Sequence, residues 1–339
     1  MTELDPNRLY WIDAIRSFAC VCVLLSHAFD PVGAAQVAAL ESIRYLIVAG
    51  ASVLFFMISG ALVFYKPKPL IPFMKRRLVK IALPMVIWTI VALLIECLRH
   101  DMEWSQLPHK LMLIPFTQQF GTFWFIYVIF GIYLLTPMIA TWLERCSRAE
   151  VRLLLIVSCV AMAIPYLRIV DKEFPKALFT DTGSFYYFAG YLWICLMGYY
   201  IRRYINIERY KWWHYAILVA ILLMPVVLLW LGEPAAVVKR RTNLSVVLLC
   251  ACYFVILKHL RLSDRMKRVV YDFAQHSFGI YLVHNHIYNF LLAPIFAQLG
   301  LHYSVAVPLA FLLCLVLSYA VVHLISKLSI GDYLVAYNS

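Results

Sequence analysis

Apolar residues in this chain occur in long continuous runs, which are separated by short stretches rich in charge or proline. A run of about 20 apolar residues is long enough to cross the roughly 30 Å hydrocarbon layer of a bilayer as a helix. Because the runs are continuous rather than alternating, they favour helices over membrane strands. We predict ten spans, near residues 11–29, 43–65, 78–98, 123–143, 151–167, 184–201, 213–231, 243–257, 278–297 and 304–325.

The orientation follows from the basic residues between the spans. An even number of spans puts both termini on one side of the membrane. If that side is the cytoplasm, the inside segments hold about twice as many Lys and Arg as the outside loops, as the positive-inside rule requires. We therefore predict an all-α integral membrane protein, a bundle of about ten transmembrane helices with N-in/C-in topology, and treat 1–339 as one polytopic domain.

Composition agrees with a membrane protein and excludes other classes. The chain is 64% hydrophobic and 14% charged, which a soluble domain of this size has no room to bury. The net charge of +12 indicates cytoplasmic loops and anionic lipid headgroups rather than nucleic acid. The nine cysteines, an odd number, lie mostly inside apolar runs. We expect no disulfide framework, no metal site and no removable signal peptide.

Two loops depart from the general pattern. The segment LPHKLMLIPF (107–116) is apolar but too short to span, so we interpret it as re-entrant or interfacial. The outside loop EPAAVVKRR (233–241) breaks the charge rule. An anionic partner and a lipid headgroup both explain that loop.

The first predicted helix carries three ionisable side chains, Asp13, Arg16 and His27. Arg16 and His27 are 11 positions apart, which is about three full turns, so they share one face at depths that differ by about 16 Å. Asp13 lies one turn before Arg16 and is placed to pair with it. Intramembrane charges are costly and usually functional; the alternative is that these side chains extend to the two membrane surfaces.

The two basic residues suit different parts of a transfer reaction. Neutral histidine can take a proton from a hydroxyl near neutral pH, and arginine holds a phosphate or carboxylate in a fixed fork. Placing both on one helix face at two depths suits a donor and an acceptor that arrive from opposite sides.

Five stretches in order resemble the acyltransferase-3 family of integral membrane O-acyltransferases. They are D-x-x-R with a later H (Asp13, Arg16 and His27), LFFMISGAL (54–62), FMKRRLVKIALP (73–84), FWFIYVIFGIYLLTP (123–137) and HSFGIYLVH (276–284). Two positions depart from the family pattern: Ser17 replaces a common Gly, and Lys80 replaces a common Arg, which loses the bidentate fork.

The resemblance implies an activity. Such enzymes transfer an acyl group, typically acetyl, from cytoplasmic acyl-CoA to a hydroxyl of a surface glycan or its lipid-linked precursor, in the inner membrane of a bacterium. Acetyl-CoA is then a co-substrate, no cofactor is bound, and the other partners are the glycan acceptor and membrane lipids. We find no second, hydrolase-like domain after residue 325, so we expect the membrane domain to complete the transfer.

The resemblance also assigns roles. His27 acts as general base or as a transient acyl carrier, Arg16 guides the donor inward, and Asp13 holds Arg16. The residues assigned to acyl-CoA binding are Arg76, Arg77, Lys80, Ser59 and Gly60. The alternatives are that the three cations anchor the protein at the membrane surface and that the two small residues serve helix packing.

Substrate contacts are assigned to Trp124, Tyr133, Tyr281 and His284. Trp124 is equally suited to be an interfacial anchor. We place His284 in the cytoplasmic half of the ninth span and interpret His286 as structural. The competing interpretations are a transporter or flippase for a polar lipid or glycan intermediate, with ionisable residues along its pathway, and a structural or sensory membrane protein.

Overall fold

The computed structural model of the chain describes residues 5–30, 50–167, 188–209, 211–230 and 242–336. Every regular element in these residues is helical, with no strand among them, which confirms the all-α prediction. The helices are α1 Tyr10–His27, α2 Ala51–Val63, α3 Leu70–Leu98, α4 Leu107–Leu113, α5 Trp124–Arg145, α6 Arg148–Ala163, α7 Tyr191–Tyr204, α8 Trp212–Trp230, α9 Leu244–Lys258, α10 Asp264–His286, α11 Ala293–Leu299, α12 Tyr303–Ser326 and α13 Gly331–Val335.

Within the described residues, each predicted span overlaps one of these helices, but the helix of the ninth span begins much earlier than predicted. Helix α10 starts at Asp264 rather than near residue 278. The segment between those positions is polar with apolar residues on one stripe only, so it forms a helix without being an apolar run. A search for continuous apolar runs therefore misses the first half of α10.

Four of the described helices are long and apolar enough to cross a membrane: α3, α5, the segment Arg148–Tyr166 that includes α6, and α12. The chain is a multi-pass membrane protein on this count, whereas the total of ten spans and the N-in/C-in orientation stay predictions. Helix α4 is short, as expected for 107–116, and its interfacial placement also stays a prediction. The loop 233–241 lies outside the described residues.

Contacts divide the chain into two compact units. Unit 1 comprises residues 1–19, 41–68 and 136–267, and unit 2 comprises 20–40, 69–135 and 268–339. Helices α1, α5 and α10 contribute residues to both units. The prediction of a single domain over 1–339 stays a prediction.

Unit 1 is built on a close approach of α2 and α7. A Cβ atom added to Gly60 would overlap the backbone of Cys195, and one added to Gly198 would overlap the backbone of Met57. Only glycine allows two helix backbones to come this close. Gly60 therefore has the packing role that was one of its two predicted roles.

Unit 2 packs α3, the first half of α5 and most of α10 around an aromatic and aliphatic core. The buried members of this core are Met85, Ala92, Leu93, Ile114, Phe120, Phe123, Ile126 and Leu282. Two π-helical turns interrupt its helices, at Leu78–Ala82 within α3 and at Ile287–Leu292 between α10 and α11. Such turns often occur at functional sites. The first turn follows Arg77 and contains Lys80, and the second begins three residues after His284.

Candidate active site

The second half of α1 runs beside α10 within unit 2. The Sγ atom of Cys20 lies 3.6 Å from the carbonyl oxygen of Ser277, and the Tyr288 hydroxyl donates to the carbonyl oxygen of Leu24 at 2.9 Å. Both helices run in the same direction, because later residues of α1 meet later residues of α10. This is the arrangement that the predicted order of spans requires of the first and ninth.

His27 ends α1, and its ring is oriented by Asp30. The Nδ1 atom of His27 lies 2.8 Å from Oδ2 of Asp30, three residues further along the chain. A carboxylate at Nδ1 favours the tautomer that carries its proton there, which leaves the Nε2 lone pair available. The His27 side chain remains 26% exposed. An imidazole fixed in this way is arranged as a general base.

His284 of α10 lies against His27, with the two ring centroids 5.4 Å apart. We call these two residues the imidazole pair. His284 is fully buried, and its Nδ1 donates to the carbonyl oxygen of Tyr281 at 2.7 Å. Within the described residues its Nε2 atom is buried and has no hydrogen-bond partner. The contact brings together two histidines that are 257 residues apart in the sequence.

This contact corrects the predicted depth of His284. The predicted N-in orientation puts His27, at the end of the first span, near the outer side, whereas we placed His284 in the cytoplasmic half of the ninth. Two rings in contact cannot lie in opposite halves. The error comes from the early start of α10: His284 is close to the end of a helix that begins at Asp264, not to the start of one that begins near residue 278.

Tyr281 connects the imidazole pair to the start of α5. Its hydroxyl donates to the carbonyl oxygen of Thr122, and its ring centroid is 5.8 Å from that of His284. Trp124, the first residue of α5, is half-buried and meets the edge of Phe125, whose ring in turn contacts Tyr281. Of the predicted substrate contacts, Tyr281 thus touches the imidazole pair directly, whereas Trp124 is connected to it through Phe125 and Tyr281.

His286 serves packing, as its predicted structural role requires. Its Nε2 atom donates to the carbonyl oxygen of Trp88 at 2.9 Å. The ring lies 4.5 Å from that of Phe120 and 5.2 Å from that of Trp88, measured between centroids. The residue joins α10 to α3 and to the segment before α5.

The predicted cations of α3 form a second group in unit 2, the basic cluster Arg76, Arg77 and Lys80. The guanidinium of Arg77 lies over two rings, 5.2 Å from the centroid of Phe73 and 5.1 Å from that of Tyr133. Arg76 is exposed, and Lys80 is half-buried in the π-helical turn. A guanidinium held by aromatic faces keeps its hydrogen-bond donors free for an anion.

The basic cluster and the imidazole pair lie at different levels of unit 2. Arg77 precedes Trp88 by 11 residues in α3, which corresponds to about 16 Å along the helix axis. The carbonyl oxygen of Trp88 accepts a hydrogen bond from His286, which is two residues after His284 in α10. Tyr133 therefore belongs to the level of the basic cluster, whereas Tyr281 belongs to that of the imidazole pair.

A comparison with known protein families matches an acyltransferase domain to residues 9–326, nearly the whole chain. The chain belongs to the acyltransferase-3 family. No curated protein and no solved structure matches it. Membership of the acyltransferase-3 family confirms the resemblance found in the sequence, and it makes the protein a membrane acyltransferase.

The remaining residues predicted for this acyltransferase-3 protein belong to unit 1. The carboxylate of Asp13 is 3% exposed and accepts from Nε and Nη2 of Arg8, at 2.7 and 3.0 Å. The sequence did not predict this role for Arg8, because Arg8 precedes the apolar run whereas Arg16 lies within it. The pairing of Asp13 with Arg16 stays a prediction. Helix α1 is unbroken from Tyr10 to His27, so the shared helical face of Arg16 and His27 is confirmed.

Ser59 is half-buried in α2, beside the glycine that packs against α7. Its role in binding acyl-CoA, like that of Gly60, stays a prediction. Among the described residues, no group of three or more His, Cys, Asp or Glu side chains is arranged to hold a metal ion.

Proposed function

We propose that this acyltransferase transfers an acetyl group from acetyl-CoA to a hydroxyl of a cell-surface glycan or its lipid-linked precursor, in the inner membrane of a bacterium. The observation that carries the proposal is the imidazole of His27, whose Nδ1 is held by Asp30 and whose ring lies beside buried His284. An imidazole oriented by a carboxylate is suited to remove a proton from an attacking hydroxyl.

The reaction needs two proton transfers, one from the acceptor hydroxyl to His27 and one from His27 to the sulfur of CoA. Nε2 of His27 takes the proton of the acceptor hydroxyl while the oxygen attacks the thioester carbonyl carbon. The new C–O bond forms and the C–S bond breaks. The thiolate of CoA, which is the leaving group, then takes the proton from the His27 imidazolium. Acceptor and acetyl-CoA thus become ester and free CoA, and no further reactant is required. The positive charge that develops on His27 is stabilised by Asp30.

The donor would enter at the basic cluster. CoA carries several phosphates, and Arg77 presents a guanidinium held over Phe73 and Tyr133, with exposed Arg76 in the same turn. The distance of about 16 Å between this level and that of the imidazole pair suits an extended donor whose phosphates stay at one end while the thioester reaches the other. Tyr281 and Trp124 would contact the acceptor. The roles of Arg16, Ser59 and Gly60, which belong to unit 1, stay predictions from the family resemblance.

The test compares surface glycans from cells with and without the gene. We expect a base-labile acetyl ester that depends on the gene, and its loss in His27→Ala at an unchanged amount of folded protein. General-base catalysis contributes about 10²–10⁴ in rate, so the ester should fall below a hundredth of its normal rate of formation. Exposed His109 in α4 supplies the control, His109→Ala, which should behave like the unaltered protein.

Two outcomes would contradict the proposal. Full ester formation in His27→Ala would exclude its role as base. Movement of a glycan lipid across the membrane, with no consumption of acetyl-CoA, would favour the transporter.

A further inference from the structure

The imidazole pair holds two hydrogen-bond acceptors, Nε2 of His27 and Nε2 of His284, on rings whose centroids are 5.4 Å apart. Nδ1 of His27 is turned to Asp30, and Nδ1 of His284 is turned to the carbonyl oxygen of Tyr281. A carbonyl oxygen only accepts, so Nδ1 of His284 must carry the proton and its Nε2 must be a lone-pair acceptor. The same reasoning applies to His27, whose Nδ1 faces a carboxylate.

While both rings are neutral, as a general base must be before it takes a proton, they cannot satisfy each other. Neither neutral imidazole has a proton on Nε2, so no hydrogen bond can form between the two Nε2 atoms. The Nε2 atom of His284 is buried and lacks a partner in the part of the chain that the structure describes. Leaving a buried acceptor unpaired is costly and is rare in native proteins. A bound group with its own donor would remove this cost.

We infer that Nε2 of His284 accepts a hydrogen bond from a second hydroxyl of the acceptor, on the carbon next to the hydroxyl that His27 deprotonates. The inference rests on the proposed function and names its substrate class: the acceptor is a vicinal diol. An isolated alcohol supplies one O–H group, which His27 uses, and leaves His284 unpaired. A vicinal diol supplies two neighbouring O–H groups, one for each imidazole.

The surroundings hold His284 in place for such a role. Its Nδ1 is bonded to Tyr281, and the Sγ atom of Cys314 in α12 lies 3.6 Å from its carbonyl oxygen. The residue is fully buried, whereas His27 is partly exposed. His284 is therefore a fixed acceptor at the wall of the site, and His27 is the ring that the reacting hydroxyl reaches.

This arrangement makes His284 a specificity residue rather than the base. Sites built to bond a substrate hydroxyl reject analogues that lack it far more strongly than apolar pockets reject a missing methylene. The enzyme should acylate ring hydroxyls that have a hydroxyl neighbour. It should avoid a primary hydroxymethyl group whose neighbouring carbon carries the ring oxygen.

The first test locates the ester. Nuclear magnetic resonance of the surface glycan, from cells with and without the gene, identifies the carbon that bears the gene-dependent acetyl group. We expect a carbon whose neighbour carries a free hydroxyl. An ester on a hydroxyl without such a neighbour would overturn the inference and leave the proposed function standing. A glycan with no gene-dependent ester would overturn both.

The second test separates the two nitrogens of His284. In His284→Gln the side-chain oxygen can replace Nε2 as acceptor, whereas in His284→Asn the amide can replace only the Nδ1 donor to Tyr281. At matched protein amounts we expect His284→Gln to form ester at a rate within about tenfold of normal. In His284→Asn we expect the rate of ester formation to fall about a hundredfold. The opposite order, or an equal loss in both variants, would show that Nε2 binds no substrate hydroxyl. If neither variant folds, the position of the ester decides.

Discussion

The two units differ in how their half-buried and buried polar groups are paired. In unit 1, Nη1 of Arg202 donates to the carbonyl oxygen of Ala61 at 2.6 Å, and its guanidinium lies 3.9 Å from the ring centroid of Tyr65. Nζ of Lys258 donates to three carbonyl oxygens at the end of α7, those of Ile201, Arg202 and Ile205. Arg202 thus binds a carbonyl oxygen in the last turn of α2, and Lys258 binds carbonyl oxygens at the C-terminal end of α7. The last carbonyl groups of a helix lack partners within the helix and attract cations.

Several buried side-chain polar atoms of unit 2 have no hydrogen-bond partner among the residues that the structure describes. Within the described residues, Thr122 Oγ1, His284 Nε2 and His286 Nδ1 are buried without a hydrogen-bond partner, and Asn243 Nδ2 is the matching atom in unit 1. The paired cations of unit 1 support the fold. An unsatisfied acceptor beside a candidate catalytic residue, as at His284 Nε2, is instead available to a substrate.

The largest expected effect concerns the packing of unit 1. In Gly60→Ala the new Cβ would overlap the backbone of Cys195, which cannot move aside as a side chain can. We expect a loss of about 3 kcal/mol, the upper end for overpacking, seen as a lower thermal midpoint in detergent. Gly131→Ala in α5, where a Cβ meets nothing within 4 Å, is the control. Equal midpoints for the two variants would contradict this account of α2 and α7.

The next effect concerns the chemistry of unit 2. Asp30→Asn removes the carboxylate that orients His27, and we expect the rate of ester formation to fall about a hundredfold, less than for a buried catalytic aspartate because Asp30 is 44% exposed. Stability should not change. Asp264→Asn, whose carboxylate pairs with Lys267 at the surface, is the control. A normal rate in Asp30→Asn would remove Asp30 from the site.

Lys258 tests whether a satisfied cation is purely structural. Lys258→Met keeps the apolar stem and removes three hydrogen bonds at the end of α7, so we expect a loss of about 2 kcal/mol without a change in the activity of the protein that folds. Lys211→Met, at an exposed position, should match the unaltered thermal midpoint. Reduced activity at full stability would mean that Lys258 takes part in function.

The smallest effect concerns binding of the donor. Arg77→Ala should raise the KM for acetyl-CoA about tenfold, the loss of one charge-assisted contact, with little change in kcat. The KM of Arg77→Lys should lie between those of the unaltered protein and Arg77→Ala, because lysine keeps the charge but lacks the planar group held over Phe73 and Tyr133. Release of the CoA thiol by membranes gives both constants, and exposed Lys75→Ala is the control. An unchanged KM in Arg77→Ala would assign Arg77 to packing.

Much of the fold could be predicted from the sequence, because apolar runs determine where membrane helices form. The early start of α10 could not, since the polar segment after Asp264 shows one-sided rather than continuous hydrophobicity. The packing of Gly60 against Cys195 was open between two roles, and only the tertiary contact with α7 gave it one.

The candidate site was predicted in part. The spacing of Arg16 and His27 pointed to His27, and the late motif pointed to Tyr281 and His284. Asp30 was missed because it follows the apolar run and resembled a loop residue, although its place one turn after His27 was a usable signal. The contact between His27 and His284 depends on how α1 packs against α10, which local sequence patterns do not contain.

The helices that carry the imidazole pair have a consequence for biogenesis. Both helices carry ionisable side chains, such as Arg16 in α1 and Asp272 in α10, and such side chains lower the affinity of a helix for lipid. Packing against an apolar neighbour offsets part of that cost. Helix α12 is long and apolar enough to cross a membrane, and it contacts His284 through Cys314. We therefore expect a substitution that disturbs this packing of α12 to lower the amount of protein in the membrane as well as its activity.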